Sequence, residues 1–264
     1  MSKRTSPYER ELDGILAALP GQAGPAAADP QHGGSCLPGS NRQPGGSCIA
    51  GSTHLPCGDH SPAPPKPSLL LHACCGPCSS YVIEYLACYF AITIYYYNPN
   101  IHPMSEYERR RDELLNFLPR FPAASGIQVV EGRYDPEDFY RATGVREEPD
   151  LQNEAEKGER CRRCYEFRMR AAWQYACSNA FDWFTTTLSI SPFKDADKIN
   201  AIGRALEQGH PGPRFLPSDF KKKGGFKRSL ELSAEYGLYR QDYCGCVYSK
   251  ANRKLPLPPG QGTS

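Results

Sequence analysis

Apolar and polar positions repeat with two different periods along this chain, and the switches between them mark its elements. Leu69 to Ala73 is a nearly continuous apolar run that stops at Gly76-Pro77, as a strand buried on both faces would. From Ser79 to Tyr89 the apolar positions return at helical spacing. Phe90 to Tyr97, rich in β-branched and aromatic residues, predicts a second strand closed by Asn98-Pro-Asn100. Ser105-Glu-Tyr-Glu108 has capping-box spacing and opens a helix to about Phe117, with Leu114, Leu115 and Leu118 on its apolar side. Residues 127–131 predict a third strand, and Asp135-Pro136 an N-cap with proline in the first turn of the next helix.

Arg146 to Arg160 is charged and poor in apolar residues, a surface loop leading into Cys161. Cys161 to Asn179 predicts a mostly buried helix, and Ala180 to Ile190 a fourth strand feeding the turn Ser191-Pro-Phe-Lys-Asp195. Asp197 to Glu207 is amphipathic, Arg214 to Pro217 predicts a last short strand, and Ser229 to Tyr236 a final helix. Strands alternating with helices give an α/β fold: a mostly parallel, Rossmann-like sheet with flanking helices and right-handed crossovers. Such sheets bind ligands at the carboxyl ends of their strands. Upstream, Tyr8 to Leu19 has a short helical period, with Leu12, Ile15, Leu16 and Leu19 on the side that either docks on the core or frays.

Composition changes this picture at the N-terminus. Residues 21–67 are Gly, Pro, Ser, Ala and Gln with almost no large apolar side chains, too little to offset chain entropy, and are expected to be disordered. The chain therefore divides into an N-terminal extension over 1–66, an α/β domain over 67–250 and a tail over 251–264. The formal charge of +2 gives no global basic field, so any nucleic-acid contact must be local. No apolar segment follows Met1-Ser-Lys-Arg, and no apolar run is long enough to span a bilayer, which predicts a cytoplasmic protein with no membrane partner.

In a reducing compartment, closely spaced cysteines are metal ligands more often than bridges. Of 12 cysteines, Cys36, Cys48 and Cys57 fall in the low-complexity stretch, and Cys88 and Cys177 stand singly in helical patterns and read as spare or buried thiols. The others form three groups: Cys74, Cys75 and Cys78 at the first strand end, Cys161 and Cys164, and Cys244 and Cys246. Cys161 and Cys164 share a helix face, and Cys244 and Cys246 share a face of an extended backbone with Gly245 between them. Adjacent side chains diverge, so Cys74 and Cys75 are expected to serve neighbouring metals rather than one ion. Four thiolates suffice for a tetrahedral zinc or one iron–sulfur cluster, and the surplus hints at a second metal. A structural zinc site using four of them is the competing expectation.

The motifs His72-Ala-Cys-Cys-Gly-Pro-Cys78, Cys161-Arg-Arg-Cys-Tyr-Glu-Phe-Arg168, Thr185 to Asp195, Phe220 to Ser233 and Gly237 to Ser249 together resemble the QueH-type epoxyqueuosine reductases. The resemblance spans roughly residues 67–250 and makes that stretch the catalytic domain. It implies an oxidoreductase that reduces the epoxide of epoxyqueuosine at the tRNA wobble position to queuosine, the last step of queuosine biosynthesis, without cobalamin. It further implies a [4Fe–4S] cluster beside an additional iron ion, a tRNA bearing epoxyqueuosine as substrate and an external electron donor. The candidate proton donors are Asp195, Asp242 and His72. For His72 a packed strand-end position competes with that role, and for Asp195 a helix N-cap does.

Lys221, Lys222, Lys223, Phe226, Lys227 and Arg228 form a basic loop around two glycines. Taken alone, it reads as a solvated face. With the resemblance, its cations would grip phosphates and Phe226 would stack on a base. Arg162, Arg163, Arg168 and Arg240 would extend the track along which a wobble nucleotide is everted. Two rivals remain at this level. One is a zinc-stabilised, non-catalytic tRNA-binding module; the other is a nucleotide-dependent tRNA-modifying enzyme, against which stands the absence of a Gly-rich phosphate loop after the first strand.

Overall fold

The computed structural model describes residues 6–20, 64–209 and 211–252. The expected disorder over 21–67 therefore falls almost wholly outside the described residues, as do Cys36, Cys48, Cys57 and most of the C-terminal tail. In chain order the elements are α1 (Pro7–Ala17), β1 (Ser68–Ala73), α2 (Gly76–Leu86), β2 (Ala91–Tyr96), α3 (Met104–Phe117), β3 (Gln128–Glu131), α4 (Pro136–Thr143) and α5 (Glu159–Ser178). They continue with β4 (Trp183–Thr186), α6 (Ala196–Gly209), β5 (Arg214–Phe215), α7 (Gly225–Glu235) and α8 (Val247–Asn252). The sheet has five strands in the order β3-β2-β1-β4-β5, and every pairing is parallel.

The register puts Leu70 beside Thr93 on one side and Phe184 on the other, so β1 is the central strand. Its apolar run is continuous because both faces are covered. Leu69, Leu71 and Ala73 pack in one core with Val82 and Ile83 of α2, Leu114 of α3 and Leu232 of α7. Leu70 points into the other core, with Met169 and Ala172 of α5 and Ile199 of α6. The chain leaves β1 for β2 on one side and reaches β4 on the other, so the crevice beyond the carboxyl ends of β1 and β4 is the switch point where such sheets take ligands.

Several boundaries and one element differ from the sequence reading; α7, for one, starts at Gly225, ahead of the expected Ser229. The α2 helix starts at Gly76, ahead of Ser79, because proline is tolerated in a first helical turn and does not delay the start. The α3 helix starts at Met104 with Pro103 at its N-cap and no capping side chain; Ser105 therefore lies inside the first turn, and the expected capping box of Ser105 with Glu108 does not form. β4 ends at Thr186, whose hydroxyl accepts from Leu188 N at 3.2 Å and turns 187–190 into a 3-10 turn. α8, with no strong apolar period, was not anticipated. Asp135 does cap α4, accepting from Glu137 N at 3.0 Å.

The N-terminal helix docks. Leu12 and Leu16 of α1 are buried in the core shared with α2, and Ser6 with Glu9 closes a capping box. Cys177 is a free, half-buried thiol as expected, whereas Cys88 is disulfide-bonded and so is not a spare thiol. No helix among the described residues is long and apolar enough to cross a membrane.

Candidate metal centre

The first thiol group is made by one turn. Cys75 is the N-cap of α2, with an extended backbone at φ −175° and ψ 165°, and its carbonyl accepts from both Ser79 N (3.2 Å) and Ser79 Oγ (2.8 Å). The chain thus bends from strand to helix between Cys74 and Cys78. The three sulfurs lie within 4.8 Å of one another, and those of Cys74 and Cys75 are 3.8 Å apart. This corrects the expectation that Cys74 and Cys75 diverge: alternation holds within a strand, and the turn cancels it. Gln241 Nε2 donates to Cys75 Sγ at 3.0 Å, bringing the chain's C-terminal part onto this group. Thiol donors at Cys75 and Cys78 hold the Cys74 thiol well below its ordinary pKa, with Lys194 and Arg168 adding to the effect. Facing that thiolate, Cys75 is pushed up to about 11 and Cys78 well above the usual thiol range.

The second group is assembled from distant parts of the chain. Cys161 and Cys164, one turn apart on α5, line a single cavity with Cys244 and Cys246. The sulfurs of Cys244 and Cys246 are 3.7 Å apart across Gly245, which takes φ +122°. That loop is tied down on every side. Arg110 of α3 donates to the carbonyls of Cys244 (3.1 Å) and Tyr243 (3.2 Å) while its Nε pairs with Glu106 at 2.7 Å. His102 N donates to Gly245 O at 2.8 Å. Ser249 Oγ accepts from Cys244 N at 3.1 Å and donates to Glu156 at 2.6 Å. The Cys246 thiol, helped by Lys194, lowers Cys244 to about 5, and that thiolate raises Cys246. Burial pushes Cys161 up and Cys164 up to about 11.

Buried cations surround these thiols. Lys194 lines both the second cavity and a pocket bounded by Cys78 of one group and Cys244 of the other. Burial opposes its charge, but the thiolates at Cys74 and Cys244 outweigh that, and its pKa is raised. Arg160 and Arg168 are almost wholly buried and line the same cavity as Cys161 and Cys164. Arg160 Nε and Nη2 and Arg168 Nε have no hydrogen-bond partner among the described residues. Unpaired buried donors are costly unless an acceptor belongs there. Four thiols and orphaned cationic donors around one cavity are what an anionic, sulfur-bridged metal group needs, so the residues fit one.

The other predicted site residues separate by position. His72 is fully buried, with Nδ1 2.8 Å from Thr186 Oγ1 and Nε2 3.1 Å from Tyr97 O. A carbonyl only accepts, so Nε2 carries the hydrogen and Nδ1 accepts from Thr186. Burial and Arg168 lower its pKa to about 3, and the ring is a neutral strut. Asp195 caps α6, accepting from Asp197 N (3.0 Å) and Lys198 N (3.2 Å). Asp242 is exposed and lines the pocket between the thiol groups. Arg168 bonds to Asn98 and faces the cysteines, not solvent. Arg162 pairs with Glu159 and Glu166, and Arg163 with Glu148 and Glu159. Arg240 donates to Ser233 Oγ at 3.0 Å and lines the same pocket as Phe226. In the basic loop, Lys221 pairs with Asp219, Lys223 with Asp13 of α1, Lys227 with Glu231 and Arg228 with Glu84. Lys222 is exposed and has no ion pair among the described residues.

Sequence reading missed Lys194, Gln241, Arg110, Arg160 and Glu156. Lys194 and Gln241 sit inside the motifs quoted above, and that was the available signal. Arg110 is one of three consecutive arginines on an amphipathic helix, where nothing distinguishes the buried one.

Comparison with known proteins bears on the thiol groups directly. Residues 69–252, which contain every site cysteine, match the family described as "Epoxyqueuosine reductase QueH". The chain belongs to that family. Among its relatives, the epoxyqueuosine reductase QueH of Streptococcus pyogenes serotype M1 is 42% identical over 194 residues, covering 73% of this chain and 74% of the relative. The QueH of Staphylococcus epidermidis is 39% identical over 186 residues, covering 70% and 76%. That of Thermotoga maritima is 35% identical over 191 residues, covering 71% of this chain and 92% of the relative. The QueH match begins within β1, so α1 lies outside it. Membership makes the protein an oxidoreductase of queuosine metabolism.

Proposed function

We propose that this chain reduces the epoxide of epoxyqueuosine at the tRNA wobble position to the alkene of queuosine, with a [4Fe–4S] cluster and a further iron held by the two thiol groups. The observation carrying this reading is that, in a member of the QueH family, the two groups adjoin one pocket at the switch point of the sheet. Four thiols round one cavity match the ligand count of a [4Fe–4S] cluster, and three within 4.8 Å match a single iron with an open position. When bound, these groups would supply electrons one at a time and Lewis acidity toward the epoxide oxygen. The balance is two electrons and two protons in, alkene and water out, with both epoxide C–O bonds broken. Of the three candidate acids, Asp242 is the one that lines the pocket, so it is the proton donor of this proposal. The Lys194 ammonium would offset the thiolate charge between the groups. The reading puts the protein in the cytoplasm, with tRNA and an external electron donor as partners.

The test is anaerobic purification followed by metal analysis and nucleoside analysis of treated tRNA. The expected protein is brown, carries about four to five irons per chain and, given a reductant, converts epoxyqueuosine to queuosine. Colourless protein with stoichiometric zinc and no conversion would favour the zinc-stabilised tRNA-binding module instead.

A further inference from the structure

One side chain joins the two thiol groups. Gln241 belongs to the loop that carries Cys244 and Cys246, yet its Nε2 donates to Cys75 Sγ of the other group at 3.0 Å. Among the described residues, the other polar neighbours of the first group's sulfurs are one another and Thr187 Oγ1, which lies 3.8 Å from Cys74 Sγ. Gln241 therefore supplies that group's short N–H contact. It does so at a cost, because Gln241 Oε1 is buried and has no hydrogen-bond partner among the described residues. A bond to a neutral thiol is weak and does little to offset an unsatisfied buried acceptor. A thiolate held on a metal only accepts, so it fixes which end of the amide faces it, and its charge strengthens the bond. The loop itself is anchored just beyond Gln241, where Arg110 holds the carbonyls of Tyr243 and Cys244. The amide is thus aimed at Cys75 from a fixed backbone, on the wall of the pocket between the groups.

We propose that Gln241 is a positioning residue that acts through Cys75 to raise the reduction potential of the metal this thiolate serves. The inference rests on the iron reading proposed above. An N–H donated to a ligand sulfur draws charge away from the metal and favours its reduced, more negative state, so the potential rises. The second group is served differently: there the short donor to sulfur is a backbone one, Ser249 N on Cys246 Sγ at 3.4 Å, which no side-chain substitution removes. Gln241 is therefore a handle on one group alone, although its own loop belongs to the other.

The experiment is a reductive titration of the full-length, anaerobically purified protein, followed by EPR so that the midpoints of the two metal groups are read separately, with iron content measured on the same samples. Gln241→Leu removes the donor and should lower one midpoint, leaving the other midpoint and the iron content at their wild-type values. Gln241→His keeps an N–H donor and should recover part of the shift. An unmoved midpoint in Gln241→Leu with full iron would overturn the inference, as would a Gln241→His variant that recovers nothing. Loss of iron, or equal movement of both midpoints, would show that Gln241 merely holds its loop in place, and would overturn it too. Wild type without iron would sink the proposed metal reading and this inference with it, whereas iron-replete wild type with an insensitive Gln241→Leu sinks this inference alone.

Discussion

The two thiol groups are built in opposite ways. Cys74, Cys75 and Cys78 are placed by a single strand-to-helix turn whose hydrogen bonds are nearly all local, whereas Cys161, Cys164, Cys244 and Cys246 meet only because α5 and the loop before α8 are brought together. Holding the second group takes Arg110 from α3, Glu156 from the loop before α5 and Ser249 from α8. A local group should form whenever β1 and α2 form. An assembled group should fail when any distant tie is cut, even where no cysteine is touched. Substitutions can separate the two.

The largest effect should come from the local group itself. Cys75→Ser removes one of three clustered sulfurs without disturbing the N-cap backbone, so the fold should survive. Conversion of epoxyqueuosine should fall below detection in nucleoside analysis, while tRNA affinity, read by filter binding, stays within a few-fold. Retained conversion would show that the first group is a spectator.

Next comes the tie on the assembled group. Arg110→Met leaves the largely buried Glu106 carboxylate without its cation, with only the Tyr239 hydroxyl beside it, and frees the carbonyls of Tyr243 and Cys244. Removing one member of a buried pair costs about 3–5 kcal/mol. Denaturant unfolding should report that loss, and iron content should fall although all the cysteines remain. Unchanged iron would mean that the loop holds itself.

How far these features could be read from the sequence follows the same local and distant division. The five strands, the burial of β1 and the cysteine turn were all legible, because buried-strand runs and cysteine spacing are local signals; the strand order that makes β1 central was not read. The convergence of Cys164 with Cys244 was expected only from topology and from family resemblance. The buried Arg110 and Arg160 were not legible at all, since burial of a cation is decided by partners far away in the chain. The docking of α1 was left open for that reason too: its apolar stripe is plain, but its landing site on α2 is not written in it. Thr186, which ends β4 early through its own hydroxyl, shows a local signal being missed because a β-branched run outweighed it.

A gentler pair of substitutions sharpens the contrast. A methyl group at Gly76 would meet its nearest neighbour, Glu113 Cγ, at 3.6 Å, an ordinary contact. One at Gly245 would lie 2.9 Å from Ile101 Cγ1 and 3.2 Å from Arg110 Nη1, on a backbone at φ +122° that other residues avoid. Gly245→Ala should therefore cost about 1–3 kcal/mol and lower iron content, with Gly76→Ala near neutral in the same unfolding and metal assays. Equal effects would erase the distinction between the groups.

The smallest effect concerns the basic loop, where neither group should respond. Lys223 is paired with Asp13 of α1, and both side chains are about half exposed, so the pair is worth little and an RNA phosphate can displace Asp13. On the proposed tRNA reading, Lys222, exposed and without an ion pair among the described residues, would meet the phosphate without first giving up a partner. Lys222→Ala should lower the slope of log affinity against log salt by about one contact, a few-fold in affinity between low and moderate salt. Lys223→Ala should lower it by less, because part of its charge is already answered by Asp13. Asp13→Asn should do the opposite and steepen the slope, which ties α1, outside the family match, to substrate binding. Iron content should be unchanged in all three variants. If Lys223→Ala weakened binding as much as Lys222→Ala and Asp13→Asn had no effect, the contact with α1 would have no bearing on the loop's charge, and α1 would serve only the core beneath it.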